Sequence, residues 1–164
     1  IITTGGGGAI LTNNEILAKR AKHITTTAKL PHKWEYRHDE IGYNYRMPNL
    51  NAAVACAQLE QLEGFLDNKR KLAKEYQSFF STKGIKFRTE TPETKANYWL
   101  MSVELENKVD RDSFLKITNE SKVMTRPIWR PINQLKMYKD CQMTDLKNSR
   151  FLEERVVNVP SSAE

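Results

Sequence analysis

The chain is organised around residues 38–49, with the sequence HDEIGYNYRMPN. Gly42 accepts backbone angles that other residues resist, and Pro48 disfavours a helical conformation of the residue before it. The pattern therefore predicts an ordered loop that presents Asn44 and Arg46, followed by a helix that begins near residue 49.

A carboxamide and a guanidinium on a braced loop are well suited to holding an anion such as a phosphate. The alternative is a packing role, in which the aromatic residues of the loop contact the core and Arg46 pairs with a nearby carboxylate. Local chemistry leaves both interpretations open.

The composition is that of a globular protein. The 164 residues are 39% hydrophobic and 28% charged, and the formal net charge is +6. A basic chain invites a nucleic-acid interpretation, but Lys and Arg are scattered among Glu and Asp and form no stripe or tail. We therefore expect no nucleic-acid partner.

The N-terminal part predicts a short β-branched strand over residues 1–4, which the glycines at 5–8 end or bend. Residues 12–15 match a capping box, so a helix should begin there. We expect its apolar residues, among them Ile16 and Leu17, to face inward. Apolar residues then recur at three- and four-residue spacing over 49–83, which predicts one long helix with a bend at Gly64.

The remainder alternates strands and helices, which is typical of a small α+β domain. Strands are predicted over 85–89, 97–105, 123–125 and 156–159, and helices over 110–119 and 145–154. Asp110 is the expected cap of the first of these helices.

No metal site is expected. Cys56 and Cys141 lack metal-type spacing, and His32 and His38 lack a third ligand at a usual distance in sequence. No apolar run approaches the length of a membrane span. The chain starts at Ile1 without an initiator methionine or a leader, so we expect a fragment of a larger protein. The expected free thiol at Cys56 fits a reducing cytoplasm.

Several motifs occur in the order found in one known family. The run HDEIGYNYRMPNLNAA at 38–53, followed by AQLEQLE at 57–63, resembles the DegT-type sugar-nucleotide aminotransferases, which are pyridoxal-phosphate (PLP) enzymes. The opening IITTGGGG is similar to the segment that directly follows the Schiff-base lysine in that family. VMTRPIW at 123–129 and NVPSS at 158–162 also fit.

The resemblance implies an α/β fold, namely a fragment of a fold-type I PLP transferase. Residues 1–48 would be the end of the large PLP-binding domain, with cofactor and interface loops. Residues 49–83 would form a long bent linking helix, and residues 84–164 a small C-terminal α+β domain.

The resemblance also implies a cofactor, pyridoxal 5′-phosphate, and a set of cofactor-binding residues. The catalytic lysine would precede Ile1, so the chain itself contains no catalytic residue. Asn44 would reach across a homodimer interface to the phosphate of the partner subunit's cofactor, with Arg46 supporting the same region. Thr4, Gly5 and Gly6 would line the cofactor site beside the lysine.

For the substrate, the resemblance implies a nucleotide-linked keto sugar, with glutamate as the expected amino donor. The closest match is to enzymes that aminate UDP-linked 4-keto sugars, as in legionaminic-type surface glycans. His38, Tyr43 and Trp129 are the predicted sugar-nucleotide contacts. Asn133 stands near the position where many members have a histidine, which leaves the sugar open.

Three other interpretations are weighed against this one. Relatives with histidine in place of the lysine, or with an added iron–sulfur cofactor, are sugar dehydratases. A nucleic-acid-binding module would associate in a salt-sensitive way. A non-catalytic scaffold would use residues 43–46 only to brace the loop.

Overall fold

A computed structural model describes residues 1–163 and divides the chain into two compact units. The N-terminal unit comprises residues 2–62, and the C-terminal unit begins at Glu63. Within residues 1–163, no helix combines the length and the apolar character needed to cross a membrane.

The N-terminal unit contains two helices and a small hairpin. Helix α1 spans Glu15–Thr25, strands β1 (Lys29–Leu30) and β2 (Arg37–His38) pair antiparallel, and helix α2 spans Asn49–Glu60. The cap of α1 is Asn14, whose Oδ1 accepts from the backbone N–H groups of Ile16 and Leu17. This is a side-chain N-cap of the usual kind.

Two expectations for this unit are wrong. Residues 1–4 form no strand. Ile16 and Leu17 of α1 are exposed, whereas Ala21 and Ile24, which were also expected to face inward, are half-buried. Ala28 is the one buried residue among positions 2–62.

Two consecutive helices occupy the region predicted as one bent helix. Helix α2 ends at Glu60 and helix α3 (Leu62–Ser81) begins after Gln61, so the interruption precedes Gly64. Gly84 follows α3 with φ +68°, which is the left-handed conformation that favours glycine at a helix end.

The C-terminal unit is built on an antiparallel sheet with the strand order β3-β4-β6-β5. These strands are β3 (Lys86–Phe87), β4 (Met101–Glu104), β5 (Arg126–Pro127) and β6 (Val156–Val159). Strands β4 and β6 pair along their full length, with Met101 opposite Val159 and Glu104 opposite Val156. The predicted strand over 123–125 is displaced to β5.

Two further α-helices, α4 (Lys108–Glu120) and α5 (Lys147–Glu153), belong to this unit, and two short 3₁₀ turns lie between β5 and α5. Asn107, not the predicted Asp110, caps α4 by accepting from the N–H groups of Val109 and Asp110. The core joins α3 to the sheet. Its buried members are Ala73, Phe80, Phe87, Met101, Val103, Leu105, Val157 and Val159.

Candidate functional site

The predicted loop lies along the C-terminal end of α1 and is held there by backbone hydrogen bonds. The N–H of Tyr43 donates to the Ile24 carbonyl (2.7 Å), and the N–H of Tyr45 donates to the Thr25 carbonyl (2.9 Å). An isolated β-bridge joins Asn44 to Thr26. The loop is therefore ordered by paired backbone groups even though its side chains are largely exposed.

Gly42 is required by a close approach of two backbone segments. A Cβ at this position would lie 2.4 Å from the Thr27 carbonyl carbon and 2.5 Å from the Ala28 nitrogen. Its φ is not positive, unlike those of Gly5, Gly7 and Gly84. The sequence therefore indicated the correct residue, but the reason is space and not an unusual backbone angle.

Asn44 and Arg46 lie together at the surface of this loop. Nη1 of Arg46 donates to Oδ1 of Asn44 (3.5 Å), and Nη2 donates to the Thr26 carbonyl (3.3 Å). The guanidinium thus fixes which atom of the amide is the oxygen, since only the oxygen can accept. In the described chain the amide nitrogen of Asn44 donates to no other group, so it is free to bind an acceptor such as a phosphate oxygen.

Two ion pairs support the start of the loop. Both guanidinium nitrogens of Arg20 donate to the carboxylate of Glu40, and His23 Nε2 lies 2.7 Å from Asp39 Oδ1. The hydrogen bond to Arg20 lowers the pKa of Glu40, and the hydrogen bond to His23 lowers the pKa of Asp39. The two carboxylates thereby attach residues 39–40 to α1.

His23, Asp39 and Glu40 are also a group of potential metal ligands, with ligand atoms within 4.8 Å of one another. This group differs from His32 and His38, the histidines that the sequence offered as possible metal ligands. Because Arg20 engages both oxygens of Glu40, that carboxylate already has a cationic partner, and Asp39 is hydrogen-bonded to His23.

His38 and Tyr43, two predicted substrate contacts, both have contacts within the N-terminal unit. His38 Nδ1 lies 2.7 Å from the Thr27 carbonyl oxygen, which leaves Nε2 for another partner. The Tyr43 ring stacks on Tyr45, with ring centroids 5.3 Å apart and an interplanar angle of 17°. Both residues remain exposed.

The glycine run forms a turn stabilised by its own threonines. The Thr4 hydroxyl donates to the Gly6 carbonyl (2.7 Å), and the Gly5 N–H donates to the Thr3 hydroxyl (3.2 Å). Asn51 of α2 donates its amide to the Thr4 carbonyl (2.6 Å). Gly5 has φ +73°, where a side chain would be strained.

A cavity of about 870 Å³ lies between the glycine run, α1 and the end of the loop, entirely inside the N-terminal unit. It brings together Gly6 and Arg46 of the predicted cofactor residues. Thr4, Gly5 and Asn44 are not part of its wall. Its wall includes the glycines Gly6, Gly7 and Gly8 and the polar residues Arg46 and Asn51.

These residues fit a phosphate-bearing cofactor. Backbone N–H groups in a glycine turn and the exposed guanidinium of Arg46 are groups that bind phosphate oxygens in proteins. The free amide donor of Asn44 lies outside this wall and next to Arg46. The cavity volume is within the usual range for cofactor and ligand sites.

Trp129, the remaining predicted contact, lies in the C-terminal unit and stacks on Trp99, with ring centroids 6.2 Å apart and an interplanar angle of 29°. Trp129 also lines a second cavity of about 610 Å³, formed by residues 128–152. Asn133 contributes to this wall, and its Oδ1 is buried without a hydrogen-bond partner. Trp99 was not among the predicted site residues, because 30 residues separate it from Trp129 and no local pattern indicates their contact.

The sequence over residues 1–164 matches the DegT/DnrJ/EryC1/StrS aminotransferase family, and the chain belongs to that family. Aminotransferases of this family depend on pyridoxal phosphate, and a solved sugar aminotransferase of similar fold is in its PLP form.

Curated relatives and solved structures agree with this assignment. The chain is 33% identical over 139 residues to GDP-perosamine synthase of Escherichia coli O157:H7, covering 85% of this chain and 38% of that protein. It is 31% identical over 163 residues to GDP-perosamine synthase of Vibrio cholerae, covering 98% of this chain and 44% of the relative. The chain thus spans about two-fifths of these relatives.

A solved aminotransferase, Helicobacter pylori PseC, which is involved in the biosynthesis of pseudoaminic acid, superimposes with a TM-score of 0.84. The sequences are 19% identical, and the match covers 99% of this chain and 45% of PseC. This likeness shows that the chain has the α/β fold of the corresponding part of that structure.

Proposed function

We propose that the intact protein is a PLP-dependent aminotransferase that converts a nucleotide-linked keto sugar into an amino sugar. The family match over residues 1–164 carries the proposal. The geometry of Asn44 and Arg46 supports it, because an exposed cation orients an amide donor that has no other partner in the described chain.

The bound cofactor would supply an electron sink for removal of the amino donor's α-proton. Residues of this chain would hold its phosphate. The Asn44 amide would bind the phosphate of the partner subunit's cofactor, while Arg46 would keep the amide oriented through its contact with Oδ1 and add positive charge. Gly6 would line the cavity beside the lysine expected before Ile1. Thr4 and Gly5 lie outside that wall and would support it through the turn, in which the Thr4 hydroxyl donates to the Gly6 carbonyl.

The substrate is proposed at the level of a nucleotide-linked keto sugar, with His38, Tyr43 and Trp129 as its contacts. Two relatives are named for a GDP-linked product, whereas the motifs resemble UDP-sugar enzymes of the legionaminic type. The nucleotide is therefore decided by comparing GDP- and UDP-linked 4-keto sugars as substrates, with glutamate as the donor.

For the intact protein we further propose a cytoplasmic homodimer active in surface-glycan synthesis. Residues 1–48 would complete the large domain, residues 49–83 would link the domains, and residues 84–164 would form the small domain. If Asn44 serves the partner's site, a dimer is required. A monomeric full-length enzyme with full activity, seen by sedimentation together with an assay, would refute this arrangement.

The phosphate role of Asn44 is tested by Asn44→Ala in the full-length protein. We expect PLP binding to weaken by about 1–3 kcal/mol, the scale of a lost hydrogen bond to a charged group. Pyridoxal, which lacks the phosphate, should bind as in the unaltered protein. Equilibrium dialysis of both compounds measures the difference.

Asn13→Ala is the matched control, because Asn13 is an exposed asparagine of the same unit with no side-chain hydrogen bond among the described residues. It should leave both affinities unchanged. Equal weakening of PLP and pyridoxal by Asn44→Ala, or no weakening of either, would remove Asn44 from the phosphate site.

A further inference from the structure

We propose that Trp99 and Lys69 are positioning residues that hold the Trp129 indole as a stacking surface for the base of a nucleoside diphosphate. This inference rests on the proposed function, since the nucleotide is the part of the substrate that such a surface would bind. It assigns roles to two residues that neither the family motifs nor the sequence pattern identifies.

Lys69 is a buried cation on α3, with 5% of its surface exposed. Its Nζ donates to the carbonyls of Tyr98 (3.3 Å), Trp99 (3.4 Å) and Ser161. It forms no ion pair with any residue in 1–163, and burial lowers its pKa. A buried ammonium is tolerated when its three protons are satisfied, and here all three bind backbone of two chain segments.

The segment that carries Trp99 is held at further points. The Tyr98 backbone adopts φ +48°, an uncommon conformation for an aromatic residue, and Arg70 lies over its ring at 5.7 Å. Nη1 of Arg70 donates to the Ala96 carbonyl (2.6 Å), and the Ser161 hydroxyl donates to the Trp99 carbonyl (3.0 Å). Neighbouring cations of α3 therefore fix the backbone on which Trp99 stands.

The indole of Trp99 is fixed in place but not buried. Trp99 is 58% exposed and Trp129 is 69% exposed, although the two rings stack on each other. Stacked indoles that remain open to solvent offer a flat apolar face, which suits a planar base. Trp129 joins this pair to the 610 Å³ cavity, because its side chain is part of the cavity wall.

The same wall carries polar groups that match the rest of a nucleotide. Arg130 is exposed and has no ion pair or hydrogen bond to any other described residue, so its guanidinium is available to a diphosphate. Asn133 brings a buried amide oxygen without a partner, which calls for an N–H or O–H donor. Aliphatic residues complete the wall: Ile128, Ile132, Leu146 and Leu152.

The test measures the affinity of UDP and of GDP for the full-length protein by titration calorimetry. Trp129→Ala should weaken the better-bound nucleotide by about 5- to 150-fold, the range for loss of one base–aromatic stack. Trp99→Ala should weaken it by about tenfold, and Trp99→Phe, which retains a ring for stacking, should restore most of the affinity. Lys69→Met should resemble Trp99→Ala.

Trp34→Ala is the matched control, since Trp34 is a 75% exposed tryptophan of the N-terminal unit whose ring has an edge contact with His32. It should bind both nucleotides normally. Unchanged nucleotide affinity in Trp99→Ala, or equal losses in Trp99→Ala and Trp99→Phe, would overturn the positioning role. If Lys69→Met fails to fold, the two Trp99 variants decide the matter alone.

The controls separate this inference from the proposed function. PLP content and the reaction with the amino donor alone, which needs no nucleotide, should be unchanged in Trp99→Ala. Loss of nucleotide affinity with both properties intact supports the inference. A protein that binds UDP or GDP through Trp129 and yet takes up no PLP would refute the aminotransferase while retaining the stacking surface.

Discussion

The two units of the chain are ordered by different forces. The C-terminal unit has a continuous core of eight buried residues between α3 and the sheet. The N-terminal unit buries only Ala28 among residues 2–62, and its loop is held by backbone hydrogen bonds and two ion pairs. Burial thus specifies the sheet, whereas polar contacts specify the loop that presents Asn44.

The difference between the units shows that a helical pattern of apolar residues does not by itself predict that those residues are buried. Leu11, Ile16 and Leu50 are apolar residues of the N-terminal unit that remain largely exposed. Exposed apolar surface of this extent is typical of a contact surface. In the C-terminal unit the same residue types, such as Met101 and Val103, are fully buried.

The largest effect should come from the core. Met101 is completely buried in β4, so Met101→Ala should lower the free energy of unfolding of the C-terminal unit by about 2–5 kcal/mol through lost burial and a residual cavity. Chemical denaturation followed by a signal from this unit measures the loss.

Met137→Ala is the matched control, because Met137 is 72% exposed and its truncation should change stability by less than about 0.5 kcal/mol. Similar losses in the two methionine variants would contradict the assignment of the core to the sheet.

A smaller loss of stability is expected in the N-terminal unit. There the methyl group added by Gly42→Ala should push the loop away from the residues that follow α1. Gly42→Ala places a Cβ against the backbone of Thr27 and Ala28, and overpacking of this kind costs about 1–3 kcal/mol. Amide exchange at Tyr43 and Tyr45 should become faster, because their N–H groups bind the end of α1.

Gly8→Ala provides the comparison, since nothing lies within 4 Å of a Cβ at that position. It should leave exchange in the loop unchanged. Normal protection of Tyr43 in Gly42→Ala would show that the close approach does not determine the position of the loop.

The smallest effect concerns the ion pairs. The pKa of Glu40 is held below its ordinary 4.5 by the hydrogen bond from Arg20, and the pKa of Asp39 is held below its ordinary 3.8 by the hydrogen bond from His23. A lowered folded-state pKa contributes stability that is present above the ordinary values and is lost as the pH falls through the lowered ones.

The attachment of residues 39–40 to α1 should therefore weaken as the pH falls through the lowered pKa values of the two carboxyls, and NMR titration of the Glu40 carboxyl should give a midpoint under 4.5. Arg20→Met should move that midpoint upward. A midpoint that does not respond to Arg20→Met would exclude the ion pair as the cause.

Much of the fold could be predicted from local signals. β6 occupies the predicted residues Val156–Val159, and α1 begins at Glu15, at the end of the predicted capping box, although Asn14 and not Thr12 is its cap. The strand expected over 123–125 lies instead at β5, because residues 123–125 form hydrogen bonds with the end of α4. Val123 donates its N–H to the Thr118 carbonyl, and Thr125 bonds through its hydroxyl to Thr118.

In the candidate sites, too, the features set by neighbouring residues could be predicted and the contacts between distant segments could not. Asn44 and Arg46 are two residues apart, so the sequence could predict that they share one loop, although not that Arg46 donates to Asn44 and to the Thr26 carbonyl. The contact of Lys69 with the Trp99 carbonyl and the stacking of Trp99 on Trp129 join segments 30 residues apart. No local pattern encodes such pairings, and only the packing of α3 and the loops on the sheet creates them.

The most direct test of the aminotransferase assignment is cofactor attachment in the full-length protein. Its absorption spectrum is recorded, the protein is reduced with borohydride, and the labelled peptide is mapped. The account predicts a PLP absorption band and a reduced cofactor trapped on a lysine immediately before Ile1. No band and no labelled lysine after addition of PLP would contradict it, and histidine at that position would favour the dehydratase relatives.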